Sequence, residues 1–353
     1  MRPGGSRIPP RRAQTGELVA FTLRFENNQS SEENGVRVLV TGAAGFIGSH
    51  VSEALLALDH EVIGLDAFVD YYPREVKERN LRALKSQPRF TFAELDLRTD
   101  PLDEHMEGVD AVVNEAAMAG LMRSWSDLDL YVSCNIMGLH RLIEASRRAG
   151  VSRFVHASTS SVYGRDAVGD ETQPTRPVSP YGVTKLAAEQ LLGAHMANSG
   201  FPAIILRYFS VYGPRQRPDM AYNLFIDAML AGRPITVYGD GLQSRSNTFV
   251  ADCVRGTIDA LTLAEIGEVY NIGGGQEITL CAAIELIAEA TAANPQILYA
   301  DAMPGDQMRT WADTTKARQA FGYRASVTPS VGLREQVKWQ AARGGSVKPS
   351  LSE

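Results

Sequence analysis

Tyr181 and Lys185 stand four residues apart in Tyr181-Gly182-Val183-Thr184-Lys185. On a helix a phenol and an ammonium at that spacing share one face. A phenol with its ordinary pKa of ~10 is a poor base at neutral pH. A neighbouring positive charge favours its phenolate. Such a phenolate can take a hydroxyl proton while the geminal hydrogen leaves as hydride for an oxidised, positively charged acceptor. Thr159, upstream in a Ser/Thr-rich run, can bring a hydroxyl to the same oxygen. An exposed Tyr and Lys on a helix would show the same spacing, so the pair needs support from elsewhere in the chain.

That support begins at Val36. The β-branched run Val36–Val40 leads directly into Thr41-Gly42-Ala43-Ala44-Gly45-Phe46-Ile47-Gly48 and a helical pattern to about Leu58. Strand, glycine turn and helix is the order that a dinucleotide pyrophosphate needs. Gly42 lets the chain turn out of the strand, Gly45 lets the backbone approach phosphate oxygens, and Gly48 lets the helix pack closely. The helix N-terminus, at Phe46 and Ile47, offers unpaired N–H groups to an anion. A second strand, Glu61–Leu65, ends in Asp66, a carboxylate placed to hold a ribose 2′-hydroxyl and repel a 2′-phosphate. The expected cofactor is therefore NAD rather than NADP.

The elements that must position these groups alternate along the chain. A charged helix is expected within 70–87, after a loop. Phe90–Leu95 reads as a strand running into Asp96-Leu97, and Ala111–Asn114 as another running into Glu115-Ala116-Ala117. Small residues at Ala116 and Ala117 suit either a cofactor lying against the strand end or tight sheet–helix packing. Ile136, Leu139, Leu142 and Ile143 fall at helical spacing within 130–149. Residues 152–157 form a strand ending at Ser158-Thr159-Ser160-Ser161, Pro180 opens a helix to about Ser199, and 203–207 is a strand. The expected fold is α/β: a doubly wound parallel (Rossmann) sheet with its ligand site at the carboxyl ends of the strands, plus a smaller α/β substrate-binding domain. The expected division gives the cofactor domain 36–212 and 239–274, and the second domain 213–238 and 275–345. Residues 1–35, rich in Arg, Pro, Gly, Ser and Asn, read as a disordered extension without a signal peptide, and 346–353 as a tail.

Composition narrows the function classes. The chain has 353 residues, 44% of them hydrophobic, and a net charge of −6. Interspersed charges argue against nucleic-acid or membrane-surface binding, and no apolar run reaches the length of a span. Cys134, Cys253 and Cys281 are few and far apart, which fits a reduced cytoplasm and shows no metal spacing. The six histidines form no ligand pair at helical spacing, so no metal is expected.

Residues 36 to about 340 resemble the extended short-chain dehydrogenase/reductase family, the nucleotide-sugar epimerases and dehydratases. The runs T-G-A-A-G-F-I-G from Thr41, A-S-T-S-S-V-Y-G from Ala157, S-P-Y-G-V-T-K from Ser179, L-R-Y-F-S-V-Y-G-P-R-Q-R-P-D from Leu206 and P-G-D-Q-M-R-T-W-A-D from Pro304 stand in the family's order. The resemblance implies an NAD-binding first domain and a second that holds a nucleoside-diphosphate sugar. It implies catalytic roles for Tyr181, Lys185 and Thr159, and cofactor contacts for Asp96, Leu97, Ala116, Ala117 and Tyr208. Substrate contacts fall to Ser160, Ser161 and Ser210, with Arg245 and Arg309 on the diphosphate, Asp306 on the ribose, and Val237 and Tyr238 where uracil packs. A homodimer through two helices per subunit is also implied.

Subclass rests on a few positions. Dehydratases of the family carry Asp-Glu after the strand-end Ser/Thr, and decarboxylases carry Glu where Ser161 stands; this chain has Ser160-Ser161. Epimerisation remains. The run Tyr212–Met220 is most similar to that of UDP-glucuronate 4-epimerases, in which resemblance Arg217 meets the sugar carboxylate. A planar guanidinium suits two-bond carboxylate recognition; Arg215 and Arg217 could instead serve phosphates or the protein surface. The sequence departs from the family at Asn114-Glu115-Ala116-Ala117 for H-L-A-A, at Gly120–Arg123 for G-V-R, and at Arg245–Phe249 for R-D-F-T-Y. The expected activity is interconversion of UDP-glucuronate and UDP-galacturonate through a 4-keto sugar. UDP-glucose 4-epimerase is the alternative, and a catalytically silent NAD-binding regulator the alternative from another class.

Overall fold

A computed structural model describes residues 35–303 and 305–343. The extension expected over 1–35, Gly35 apart, and the tail expected over 346–353 lie outside the described residues. β1 (Arg37–Thr41) runs through the glycine turn into α1 (Phe46–Ala57), followed by β2 (Glu61–Asp66), α2 (Arg74–Leu81), β3 (Phe90–Glu94) and β4 (Ala111–Asn114). α3 (Leu128–Val132), a π-helical turn (Ser133–Gly138) and α4 (Leu139–Ala149) form one continuous helical run. Then come β5 (Arg153–Thr159), β6 (Asp166–Gly169), α5 (Pro180–Ser199) and β7 (Ala203–Tyr208). β8 (Val211–Tyr212), α6 (Ala221–Leu230), β9 (Ile235–Tyr238), β10 (Ser244–Arg245), β11 (Thr248–Phe249) and α7 (Val250–Leu263) precede β12 (Val269–Ile272).

Seven strands make one parallel sheet in the order β3-β2-β1-β4-β5-β7-β12. Its strands are apolar on both faces because helices cover both. Val38, Val40, Val113 and Val155 pack toward α1 and α7; Leu39, Val112, Phe154 and Ile205 pack with the opposite side's Leu142, Ile143 and Leu192. Strand order reverses between β1 and β4, which opens a crevice outside their carboxyl ends.

Local signals explain the element ends. Ser179 caps α5 by accepting a hydrogen bond from the Gly182 N–H at 3.1 Å, Pro180 occupies its first turn, and Gly200 closes it at φ 62°. The helix expected within 70–87 starts only after Pro73 and ends at Leu81, with a 3-10 turn at Leu84–Ser86. Proline starts a helix readily because its missing N–H would be unbonded there anyway. Asp70, Tyr71 and Tyr72 are thereby left in a loop.

The remaining elements are β13 (Ile278–Thr279), α8 (Leu280–Thr291), β14 (Ile297–Ala300), β15 (Arg309–Ala312), α9 (Thr315–Phe321) and α10 (Pro329–Ala342). A second core of Tyr212, Phe225, Ile226, Val237, Ile284, Ile287 and Leu333 lies among α6, β9, α8 and α10. β13, β10, β15 and β6 form a separate four-stranded sheet. Among the described residues, no helix is long and apolar enough to cross a membrane.

Candidate active site

A cavity of about 410 Å³ opens at the carboxyl ends of β1, β2, β4, β5 and β7. One end is the glycine turn: Gly42, Gly45, Phe46, Ile47 and Gly48 all line it. Gly42 has φ +68°, and a Cβ there would lie 3.0 Å from the Ala116 nitrogen at the end of β4. A Cβ on Gly48 would lie 2.3 Å from the Gly42 carbonyl oxygen. Both glycines therefore hold the turn tight against its surroundings. No side chain caps α1 and no acid sits in its first turn, so its N-terminal N–H groups remain available to an anion. Asp66 lines the cavity too; its Oδ1 accepts from the Phe68 N–H at 2.8 Å and from Lys77 at 3.0 Å. Asp96, Leu97, Ala116, Ala117 and Tyr208 complete this side.

Tyr181, Lys185 and Thr159 all line the cavity. The Lys185 ammonium donates to the Ala157 carbonyl at 2.6 Å and lies 3.3 Å from His156 Nε2. Burial brings Lys185 down to about 8, opposed by the carboxylates of Glu189 and Glu115. Burial beside Lys185 holds His156 well below its usual range, so the ring is neutral. Burial pushes the Tyr181 phenol up, while a hydrogen bond from Thr159 and the charge of Arg217 pull it down. Burial alone thus works against the phenolate, and the expected base needs the charge of Arg217, the Thr159 hydrogen bond and a positive cofactor ring. His156 also meets Asn114 at 2.9 Å, and Asn114 accepts from Thr41 at 2.6 Å, so a buried polar chain ties Lys185 back to β1.

Ser160, Ser161, Ser210, Arg217, Arg245 and Asp306 line the opposite side. Arg217 donates through Nε and Nη2 to Asp219 at 2.9 and 2.8 Å and lies 5.3 Å over the Tyr71 ring. Among the described residues, that leaves Nη1 and one hydrogen of Nη2 free. Arg245 pairs with Asp306 at 2.9 Å. Three expected substrate residues are not on the cavity wall. Val237 is in the second core because alternate residues of β9 face inward. Tyr238, its neighbour, points to the outside and is 43% exposed. Arg309 is ion-paired with Glu277 at 2.8 Å on an exposed edge.

The structure also brings in residues that the sequence did not single out. Tyr71 and Tyr72 reach the cavity from the loop before α2, and the Tyr71 hydroxyl donates to Asp219 at 3.2 Å. Asn135, in the π-helical turn, clamps the backbone of Met118 (2.7 and 3.0 Å) and donates to Thr184 at 3.0 Å, joining the loop after β4 to α5. Glu115 faces the cavity with Oε1 2.8 Å from the Tyr208 hydroxyl. Away from the cavity, His140 and Glu144 of α4 meet His195 of α5 with their ligand atoms within 4.8 Å, a grouping across two helices that spacing along one helix does not show. Arg147 holds Glu144 at 2.9 Å. The three cysteines are free.

The family model of the NAD dependent epimerase/dehydratase family matches residues 38–273, most of the chain. The chain belongs to that family. Its relatives include a Bacillus subtilis protein named uncharacterized UDP-glucose epimerase YtcB, 41% identical, with 86% of this chain and 98% of that protein covered. Among solved structures, UDP-glucuronic acid 4-epimerase from Bacillus cereus, in complex with UDP-glucuronic acid and NAD, is 40% identical with a TM-score of 0.84, covering 86% of this chain and 98% of that one. A dTDP-glucose 4,6-dehydratase from Streptomyces venezuelae with NAD bound is 33% identical with a TM-score of 0.82, covering 87% and 97%. Family membership makes this chain an NAD-using nucleotide-sugar enzyme. The two structures superpose almost equally well, so the reaction must be read from the site rather than the fold.

Proposed function

We propose that the protein is a UDP-glucuronate 4-epimerase, interconverting UDP-glucuronate and UDP-galacturonate. The carrying observation is Arg217: it faces the same cavity as Tyr181 with part of its guanidinium fork unused. The fork suits a carboxylate at sugar C6. Ser160 and Ser161, where dehydratases and decarboxylases carry acids, leave hydroxyls and no acid for elimination.

The glycine turn, the uncapped start of α1 and the Asp66 carboxylate fit the pyrophosphate and ribose of NAD. Asp96, Leu97, Ala116, Ala117 and Tyr208 extend that wall. Bound NAD supplies the acceptor and donor of the C4 hydrogen. Tyr181 takes the C4 hydroxyl proton, steadied by Thr159 and by the Lys185 charge, and returns it after the 4-keto sugar has turned over. Arg245 and Asp306 hold the diphosphate and ribose side, while Ser160, Ser161 and Ser210 meet the sugar. A 4-keto uronate is a β-keto acid; Arg217 keeps its carboxylate near the carbonyl plane, which opposes loss of carbon dioxide. In this reading residues 36–212 and 239–274 bind NAD, and 213–238 and 275–345 the sugar nucleotide. The exposed Leu128, Val132, Met137 and Val183 along α3, the π turn and α5, with Trp125 just before α3, support a homodimer through those helices. Three free cysteines and no membrane-spanning helix among the described residues suit the cytoplasm.

Arg217→Ala tests the reading. It removes the partner of the carboxylate and leaves Asp219 pointing at it. Breaking a buried pair costs roughly 3–5 kcal/mol, so kcat/KM for UDP-glucuronate drops by orders of magnitude. Any turnover of uncharged UDP-glucose falls little. Arg217→Lys rescues in part, because an ammonium cannot make the planar contact. Equal losses on both substrates assign Arg217 to the diphosphate or the fold and remove the glucuronate reading, leaving UDP-glucose as substrate.

A further inference from the structure

Glu115 is a buried acid on the cavity wall that the mechanism above does not use. Its surroundings fix where the protons are. Thr257 Oγ1 lies 2.8 Å from the Cys253 carbonyl, which can only accept, so the threonine proton is committed there. Tyr208 Oη lies 2.7 Å from Thr257 Oγ1, and that contact must use the phenol's single proton. Glu115 Oε1 lies 2.8 Å from the same Tyr208 Oη. Both hydroxyl protons are now spent, and two bare oxygens at 2.8 Å repel. A third proton is needed, and only the carboxyl can carry it.

We propose that Glu115 works as a carboxylic acid that donates to Tyr208, making it a positioning residue that keeps the cavity floor beneath Tyr181 and Lys185 free of a competing anion. This rests on Tyr181 being the base and on NAD filling the cavity. The charge environment agrees. Burial pushes Glu115 up to about 7, against the hydrogen bond with Tyr208 and the pull of Lys185. The titratable and charged groups facing it are Lys185 on α5, Tyr208 on β7 and Cys253 on α7, with neutral His156 on β5 behind Lys185. The thiol and the phenol are both held protonated by burial. An ionised Glu115 would draw on the Lys185 charge and make the Tyr181 phenolate harder to form. As pH rises and Glu115 loses its proton, the rate falls.

The test uses the NAD-loaded enzyme and Glu115→Gln, which copies the protonated acid in shape and polarity but cannot ionise. Infrared difference spectra, wild type minus variant, are expected to show a protonated carboxyl C=O band at neutral pH. In Tyr208→Phe, where the acid loses its acceptor, that band shifts rather than vanishes. The pH profile of kcat is expected to lose its alkaline fall in Glu115→Gln or to move it up by about one pH unit, a tenfold rate difference on the falling limb. If Lys185 alone sets that fall, removing the carboxylate takes away part of its support and the limb moves down instead. A carboxylate band with no protonated C=O band at neutral pH, or a limb that stays or moves down, overturns the proposal. The infrared signal needs no turnover, so it does not depend on which sugar is epimerised.

Discussion

At the residue scale, the proposed chemistry turns on Tyr181. Removing its hydroxyl takes away a positioned acid–base group, a change that typically costs 10²–10⁴ in rate. Tyr181→Phe is therefore expected to keep NAD and sugar nucleotide binding, read by NAD content and calorimetry, while losing most of kcat. Near-normal turnover would mean another group takes the proton. Tyr181, Lys185, Thr159 and Arg217 were legible because each belongs to a short run with a chemical reason for its spacing. Glu115, Tyr71 and Asn135 were not. Glu115 stood out only as a departure from H-L-A-A, and its partners Tyr208 and Thr257 lie 93 and 142 residues further along the chain, on β7 and α7. No pattern within one segment announces such contacts. Val237 and Tyr238, expected where uracil packs, do not line the cavity; alternation along β9 says that one faces inward and one outward, but not which face the cavity adjoins.

At the element scale, strand–turn–helix signals carried furthest. α5 matches its expected limits, because Ser179-Pro180 and Gly200 mark it locally. The π-helical turn at Ser133–Gly138 was invisible, since its backbone register is set by Asn135 reaching across to Met118 and Thr184. The glycine turn makes its own prediction. Gly48→Ala sets a Cβ at 2.3 Å from the Gly42 carbonyl, a clash with backbone that no side-chain rotation relieves. Overpacking of this kind costs roughly 1–3 kcal/mol, and it pries α1 from the turn that faces the pyrophosphate. The variant is expected to purify with less bound NAD and a lower Tm. Full NAD content would show that the turn tolerates the shift.

At the scale of the whole molecule, the doubly wound sheet was readable from strand–helix alternation, and its switch point between β1 and β4 placed the cavity where strand order requires. α6, β9, α8 and α10, which pack around a second core, fall within the two segments 213–238 and 275–345 expected to make the second domain, but which side chains meet there was not readable from segments so far apart in the chain. Nor does the fold choose the reaction, since epimerase and dehydratase structures align with TM-scores of 0.84 and 0.82. The choice rests on Arg217 and on the serines at the end of β5. The most direct measurement is product analysis by chromatography after incubating the purified enzyme separately with UDP-glucuronate, UDP-glucose and UDP-xylose. UDP-galacturonate forming from UDP-glucuronate, faster than any C4 epimer from the other two, is the expected result; UDP-galactose as the dominant product, or release of carbon dioxide with a 4-keto pentose in place of UDP-galacturonate, would contradict it.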